Sequence, residues 1–356
     1  MTTNERHQYP HHLECPYIPE LGLIDERLKK QKSLLVQFSK SESYPDELLS
    51  ALDTYCQKYG TRLKIRFYGH YFQQFDFNIL NRIPHVQNLR IDIDSTSTYK
   101  NIDTFSELQH LKILDFGFCH LKHIDIFQSE NLTKLTELSV FGTKTKTLDL
   151  GFLRKCKDLT YLHIEGHKKN VDVVGELHKL EALSLRSLPD FSLDFVNYLK
   201  KLQSLSIFLG GRKNIDEIKT LGIKTLGIGF VRGFCQLSNI SRFQQLERLW
   251  VSDCIQLEEL HFDATLPELQ YVLIDNCKKL HSLTGMANLK KLQILNITQT
   301  DIEFDSLIEQ KLSKTLKSIF FRTKTRKRND EIEQLLLEKG YKSEWLVRDQ
   351  AFERKI

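Results

Sequence analysis

One apolar phrase recurs along this chain with a period too short for a domain and too regular for chance. It consists of an apolar residue, two variable positions, a second apolar residue, one variable position and a third. It runs as Val86-Leu89-Ile91, Leu111-Leu114-Phe116, Leu135-Leu138-Val140, Leu159-Leu162-Ile164, Leu180-Leu183-Leu185 and Leu202-Leu205-Ile207. It continues as Ile223-Leu226-Ile228, Leu246-Leu249-Val251, Leu269-Val272-Ile274, Leu292-Leu295-Ile297 and Leu316-Ile319-Phe321. The eleven copies start between 21 and 25 residues apart. A unit of that size cannot enclose a dry core, so each must be covered by the next and the chain must grow along one axis. Such growth also removes the size argument for dividing 356 residues into two or three globular domains.

Side-chain alternation gives the phrase its geometry. In Leu249-Trp250-Val251 the first and third residues point to one face of a short strand and Trp250 to the other. Leu246 turns in ahead of the strand, and Leu257 and Leu260 close the coil on its far side. In this LxxLxL form the pattern resembles the leucine-rich-repeat family over residues 86–321. The resemblance implies an α/β solenoid, an arc with a parallel strand stack on its concave side. It also implies a turn-packing residue after each strand: Asp94, Cys119, Thr143, His167, Leu188, Gly210, Val231, Cys254, Cys277, Thr300 and Lys324. Cys254 and Cys277, in the near-equivalent phrases SDCIQLEEL and DNCKKLHSL, are read as turn packing rather than as metal ligands or nucleophiles. Leu188, Gly210 and Val231 break the polar ladder, so irregular middle turns are expected, with GGRKN (210–214) as an outward loop.

A stack needs its first and last coils covered. Residues 45–59 read as an amphipathic helix, with Asp46 and Glu47 at its positive end, Leu48, Leu49, Leu52, Tyr55 and Cys56 as its stripe, and Gly60 as its stop. Leu63, Ile65 and Phe67 alternate as a strand. These elements predict an N-terminal segment and helix/strand cap over residues 1–85, followed by a solenoid of eleven repeats over 86–328. A C-terminal helical cap and tail over 329–356 is expected from DEIEQLLLEK (330–339), with Ile332, Leu335 and Leu336 facing the last coil. Trp345, Leu346, Val347 and Phe352 either complete that cap or bind a partner.

The reading of function starts from the outward strand positions. In the later repeats these include Ser204, Ser206, Phe208; Thr225, Gly227, Gly229; Arg248, Trp250, Ser252; and Tyr271, Leu273, Asp275. Exposed aromatic residues framed by arginine and carboxylate have the composition of a protein-binding hot spot. Partner-binding residues are therefore expected at Arg186, Phe208, Phe230, Arg248, Trp250, Asp253, Tyr271 and Asp275. The alternative is that the aromatics pack against one another. Tyr161, His163 and Glu165 form a second, more polar strip.

Other functions find less support in the residues. No Walker loop, GxGxxG loop, HExxH motif or GxSxG elbow occurs, so no catalytic residue, cofactor or metal is assigned. The seven cysteines include no CxxC pair. His7, His11, His12 and Cys15 have irregular spacing for a metal, and Cys235, His261 and His281 fall on separate coils. Arg322, Lys324, Arg326, Lys327 and Arg328 form a basic cluster that permits nucleic acid. Lys144, Lys146, Lys155, Lys157, Lys168 and Lys169 are offset by nearby acids, and the formal charge of +5 demands no polyanion. With no basic-apolar leader and no uncharged apolar run of about 18 residues, a cytoplasmic protein, monomeric when free, is expected. A non-catalytic recognition or adaptor protein is the leading reading; a bacterial immunity protein that neutralises a toxin is the alternative.

Overall fold

The computed structural model describes residues 10–94, 96–117, 129–140, 148–219 and 222–345. His7, Cys119, Thr143, Lys144, Lys146, Leu346, Val347 and Phe352 lie outside them. The chain forms two compact units, residues 1–177 and 178–356.

In the first unit the strands are β1 (His12–Glu14), β2 (Leu34–Phe38), β3 (Leu63–Gly69), β4 (Gln74–Asp76), β5 (Asn88–Ile93), β6 (Thr98–Lys100), β7 (Ile113–Phe116), β8 (Glu137–Val140) and β9 (Tyr161–Glu165). β1, β2, β3, β5, β7, β8 and β9 pair in that order, each parallel to the next. β4 and β6 pair separately. Two helices, α1 (Gly22–Leu28) and α2 (Asp46–Tyr59), connect the first strands, whereas later coils turn through short 3-10 segments. The helix expected over 45–59 is present and buries Leu48, Leu49, Leu52 and Cys56, and Gly60 (φ 55°) ends it. The strand stack, however, reaches back to His12, into residues read from sequence as a covering segment. Leu34, Val36 and Phe38 of β2 are all buried, so period-2 alternation makes this strand without the full repeat phrase.

The second unit contains β10 (Ala182–Arg186), β11 (Ser204–Phe208), β12 (Thr225–Gly229), β13 (Arg248–Ser252), β14 (Glu259–His261), β15 (Tyr271–Asp275), β16 (Ser282–Thr284), β17 (Ile294–Thr298) and β18 (Ser318–Arg322). It also holds α3 (Phe304–Ile308) and α4 (Arg326–Glu338). Parallel pairing aligns Leu183, Leu205, Leu226, Leu249, Val272, Leu295 and Ile319 as one apolar ladder. Every member is buried, and a one-residue slip in any strand would turn its share of the ladder outward. Leu257 and Leu260 close their coil from the far side, where β14 pairs with β16. Helix α4 begins at Arg326, earlier than expected, and buries Ile332 and Leu336 but only half-buries Leu335.

The middle turns correct one expectation. Ser187, Leu209, Phe230, Asp253, Asn276 and Gln299 all follow their strands in left-handed backbone, with φ between 50 and 55°. Ser187, Leu209, Phe230, Asp253 and Asn276 each donate a backbone N–H to the next coil, at 2.8–3.1 Å. Leu188 and Val231 therefore leave the turns regular; they replace a polar plug with buried apolar contact. In GGRKN the Arg212 side chain turns inward, 9% exposed, and pairs with Glu217 at 2.6 Å. The turn-packing reading of Cys254 and Cys277 fits the geometry: both are buried, and each thiol points at a carbonyl of the preceding coil, Ile228 or Val251.

A buried histidine in the first unit gives a pH dependence. His70 is 1% exposed, with Nδ1 2.8 Å from the Tyr68 carbonyl and Nε2 2.7 Å from the Tyr44 hydroxyl. A neutral ring satisfies both contacts, donating from Nδ1 and accepting from Tyr44 at Nε2. Burial holds its pKa below the ordinary 6.5. The unfolded chain therefore binds the proton first, and stability is expected to fall as pH drops below about 6.5 towards the folded value. His70→Gln should flatten that part of a urea-midpoint profile against pH; an unchanged slope would assign the proton uptake elsewhere.

Candidate functional site

The face of the second unit opposite the apolar ladder carries the expected residues, in an arrangement that differs from the expected one. Ser206, Gly227, Trp250 and Leu273 lie side by side on β11, β12, β13 and β15, and Phe208 aligns with Gly229 and Ser252. Alternation holds: Leu249 and Val251 fill the core while Trp250 lies on the other face. Yet Trp250 is 5% exposed and Phe208 8%, because their rings pack together with centroids 4.6 Å apart and Leu273 completes the group. The expectation of free aromatic surface at these two positions is thus corrected.

Two glycines make this packing fit. Adjacent strands lie about 4.8 Å apart, so an indole on β13 reaches Phe208 on β11 only across β12. A Cβ at Gly227 would stand 3.1 Å from Trp250 Cε3. One at Gly229 would stand 2.9 Å from Phe208 Cε1 and 3.0 Å from Trp250 Cη2. The glycines form the floor of an aromatic platform. The repeat spacing that sets Trp250 beside Gly227 carries this signal, although glycine alone announces no site.

Around the platform, the other residues are less buried. Phe230, at the left-handed position after β12, is 51% exposed. Arg186, in register with Phe208 at the end of β10, is exposed. The Arg248 guanidinium lies 5.3 Å from the centre of the half-buried Tyr271 ring and 3.4 Å from Glu247. Asp253 accepts from Asn276 Nδ2 at 2.5 Å, and Asp275 accepts from the Thr298 hydroxyl. The eight residues therefore separate into a packed centre, an Arg248–Tyr271 pair, a hydrogen-bonded acidic edge, and two projecting groups, Arg186 and Phe230.

The first unit has a polar counterpart on the equivalent face, which inspection of the repeat phrase had not picked out. Glu14, Gln37, Arg66, Arg90, Asp115, Ser139 and His163 follow one another across its strands. Arg66 donates to Asp92 at 2.9 Å and to Gln37 at 2.9 Å, and Lys64 pairs with Asp115 at 2.7 Å. Burial pushes the Asp115 carboxyl up, but Lys64, with Ser139 and Arg90, outweighs it and holds the pKa below the ordinary value. From β3 onward, alternation of the kind in Leu63-Lys64-Ile65-Arg66-Phe67 carries the signal of this ladder, whereas Glu14 and Gln37 lie on strands without the full phrase. Tyr161, His163 and Glu165, the polar strip expected on β9, are half-buried beside Leu162 and Ile164.

The basic cluster is largely paired: Arg322 with Glu333 at 2.8 Å, Arg328 with Asp305 at 2.6 Å, and Lys324 with Asp301 at 3.8 Å. Among the described residues, no group of three or more His, Cys, Asp or Glu side chains is placed to hold a metal, and no helix is long and apolar enough to cross a membrane.

A parallel strand stack built largely from LxxLxL coils is the leucine-rich-repeat fold. Comparison with family models finds no match, and neither does comparison with curated proteins. Among solved structures, the chain is similar to a leucine-rich-repeat protein of Leptospira interrogans at 16% identity, covering 90% of this chain and 91% of that one with a TM-score of 0.45. An internalin of Listeria monocytogenes is 15% identical, with 84% and 89% covered and a TM-score of 0.44. The leucine-rich-repeat domain of APL1B is 18% identical, with 70% and 78% covered and a TM-score of 0.45.

Proposed function

We propose that this chain is a non-catalytic recognition protein that binds a protein partner on the sheet face carrying β10–β13 and β15. The supporting observation is Phe230. A large apolar side chain in left-handed backbone costs about 1–2 kcal/mol relative to glycine, and half of this one's surface is left in water. The same left-handed turn follows the neighbouring strands, so the backbone does not single Phe230 out; a large aromatic left half in water at that position does, because exposed aromatics have the composition of contact residues. The packed Phe208–Trp250–Leu273 group supplies a rigid apolar floor beside it, and Arg186, Arg248, Asp253 and Asp275 set the register of the partner. Tyr271 adds an amphipathic surface under Arg248.

The test begins with a partner recovered by affinity capture from the native cell and then titrated against purified protein. Phe230→Gly should weaken binding by at least about tenfold while leaving the urea midpoint unchanged or higher, because glycine relieves the turn. Arg186→Glu should slow association with little change in folding. Full affinity in both variants would remove this face from the interface.

A further inference from the structure

We propose a second binding site, separate from the face of β10–β13 and β15: a cleft in the first unit that takes an extended peptide segment of a partner carrying basic residues beside apolar ones. The cleft has a volume of about 640 Å³ and opens where β1 and β2 end. Its apolar wall includes Tyr17, Ile18, Pro19 and Leu48; Glu14 and Glu42 supply acids, and Lys40 a single base. That volume falls within the range of sites that enclose several side chains.

Three observations converge on it. First, apolar groups are held in water there. Tyr17 is 55% exposed and Ile18 48%, although Leu21 and Ile24 a few residues on are buried. Nearby, the Tyr71 ring is 66% exposed; it and the carbonyl of Ser39, a residue that lines the cleft, both flank Gly69. The core of the coil does not account for this group of side chains.

Second, the display is rigid. Tyr17 donates its backbone N–H to Glu20 at 2.8 Å, and Glu14 accepts from Gln37 at 2.6 Å and Tyr68 at 2.9 Å. The loop bearing Tyr71 is fixed through buried His70, bonded to Tyr44, and through Phe72 N–H, which donates to Thr96 at 3.1 Å. Cys15, His70 and Phe72 all hold positive φ, at 42, 53 and 58°. A site already ordered loses little freedom on binding.

Third, the charge is local and of one sign. Residues 14–20 and 39–48 contain Glu14, Glu20, Glu42, Asp46 and Glu47 against Lys40, in a chain whose formal charge is +5. Asp46 is engaged by Arg82 at 2.7 Å and, with Glu47, faces the positive end of α2. Glu42 is exposed and can meet a cation, and Glu14 adds its negative charge while accepting from Gln37 and Tyr68. The same acids oppose an anionic membrane surface.

The test uses the full chain and short fluorescent peptides that alternate lysine with leucine, glutamate with leucine, or lysine with serine. The lysine–leucine peptide should bind, weakening as salt rises, and the other two should bind at least about tenfold more weakly. Glu42→Lys and Ile18→Ser, both at exposed positions, should each cost about tenfold in affinity with unchanged circular dichroism, whereas Phe230→Gly should have no effect. Equal binding of the glutamate–leucine peptide, or unaltered binding by both variants, would overturn the site. Capture on phosphatidylserine vesicles strengthened by Glu42→Lys would overturn the peptide in favour of lipid.

Discussion

Gly285→Ala is expected to destabilise the chain by about 2–5 kcal/mol, through a left-handed residue and an overpacked contact acting together. Gly285 has φ +81°, and a Cβ there would lie 2.1 Å from the Phe262 carbonyl oxygen and 2.8 Å from its carbonyl carbon. That neighbour is backbone of the preceding coil, so no side chain can rotate away. Asparagine separates the two causes because it tolerates left-handed backbone but still carries a Cβ. Gly285→Asn should recover little of the lost urea midpoint. Recovery to near wild type would show that torsion alone sets the requirement and that the coils can part.

Trp250→Ala should cost about 3 kcal/mol, the lower end for losing a packed aromatic side chain, because the platform has protein on one side only. The urea midpoint should fall with little change in its slope. Trp250→Phe should retain part of the contact with Phe208. Partner binding should fall in the alanine variant too, but that loss confounds contact with folding, which is why Phe230 and Arg186 are the cleaner probes of recognition. A cost below about 1 kcal/mol, the level of an ordinary substitution, would mean that the indole is not held between Phe208 and Leu273.

The core of these coils was legible in the sequence because every strand buries the same positions. Spacing alone places Leu249 beside Val272 and Leu226, and the pairing bears this out. The start of the strand stack was harder to read. β1 and β2 lack the complete phrase, and the helices α1 and α2 between the first strands interrupt its period. What remained visible was the alternation of Leu34, Val36 and Phe38, which suits a strand in any fold. The aromatic face was half legible. Register assigns Trp250 to the correct side of its strand, but it does not decide whether a side chain away from the core meets solvent or packs against a neighbouring ring. That depends on its neighbours, and Gly227 and Gly229 let the indole lie down where larger residues would have stood it up. The polar ladder from Glu14 to His163 was legible only at its β9 end, where Tyr161, His163 and Glu165 alternate; elsewhere charged residues at alternating positions look like ordinary solvated surface until strand pairing brings them into line.

The buried cysteines carry a consequence for chemistry outside recognition. Oxidants attack a thiolate that solvent reaches. Burial pushes the Cys277 thiol up to about 12 and Cys156 to about 11, and it raises Cys56 and Cys254 as well. None of these four sulfurs takes part in a disulfide. At each of them the folded coil is indifferent to the redox poise of its surroundings, and sulfur serves as a small, greasy filler whose reactivity stays latent while the coils remain shut.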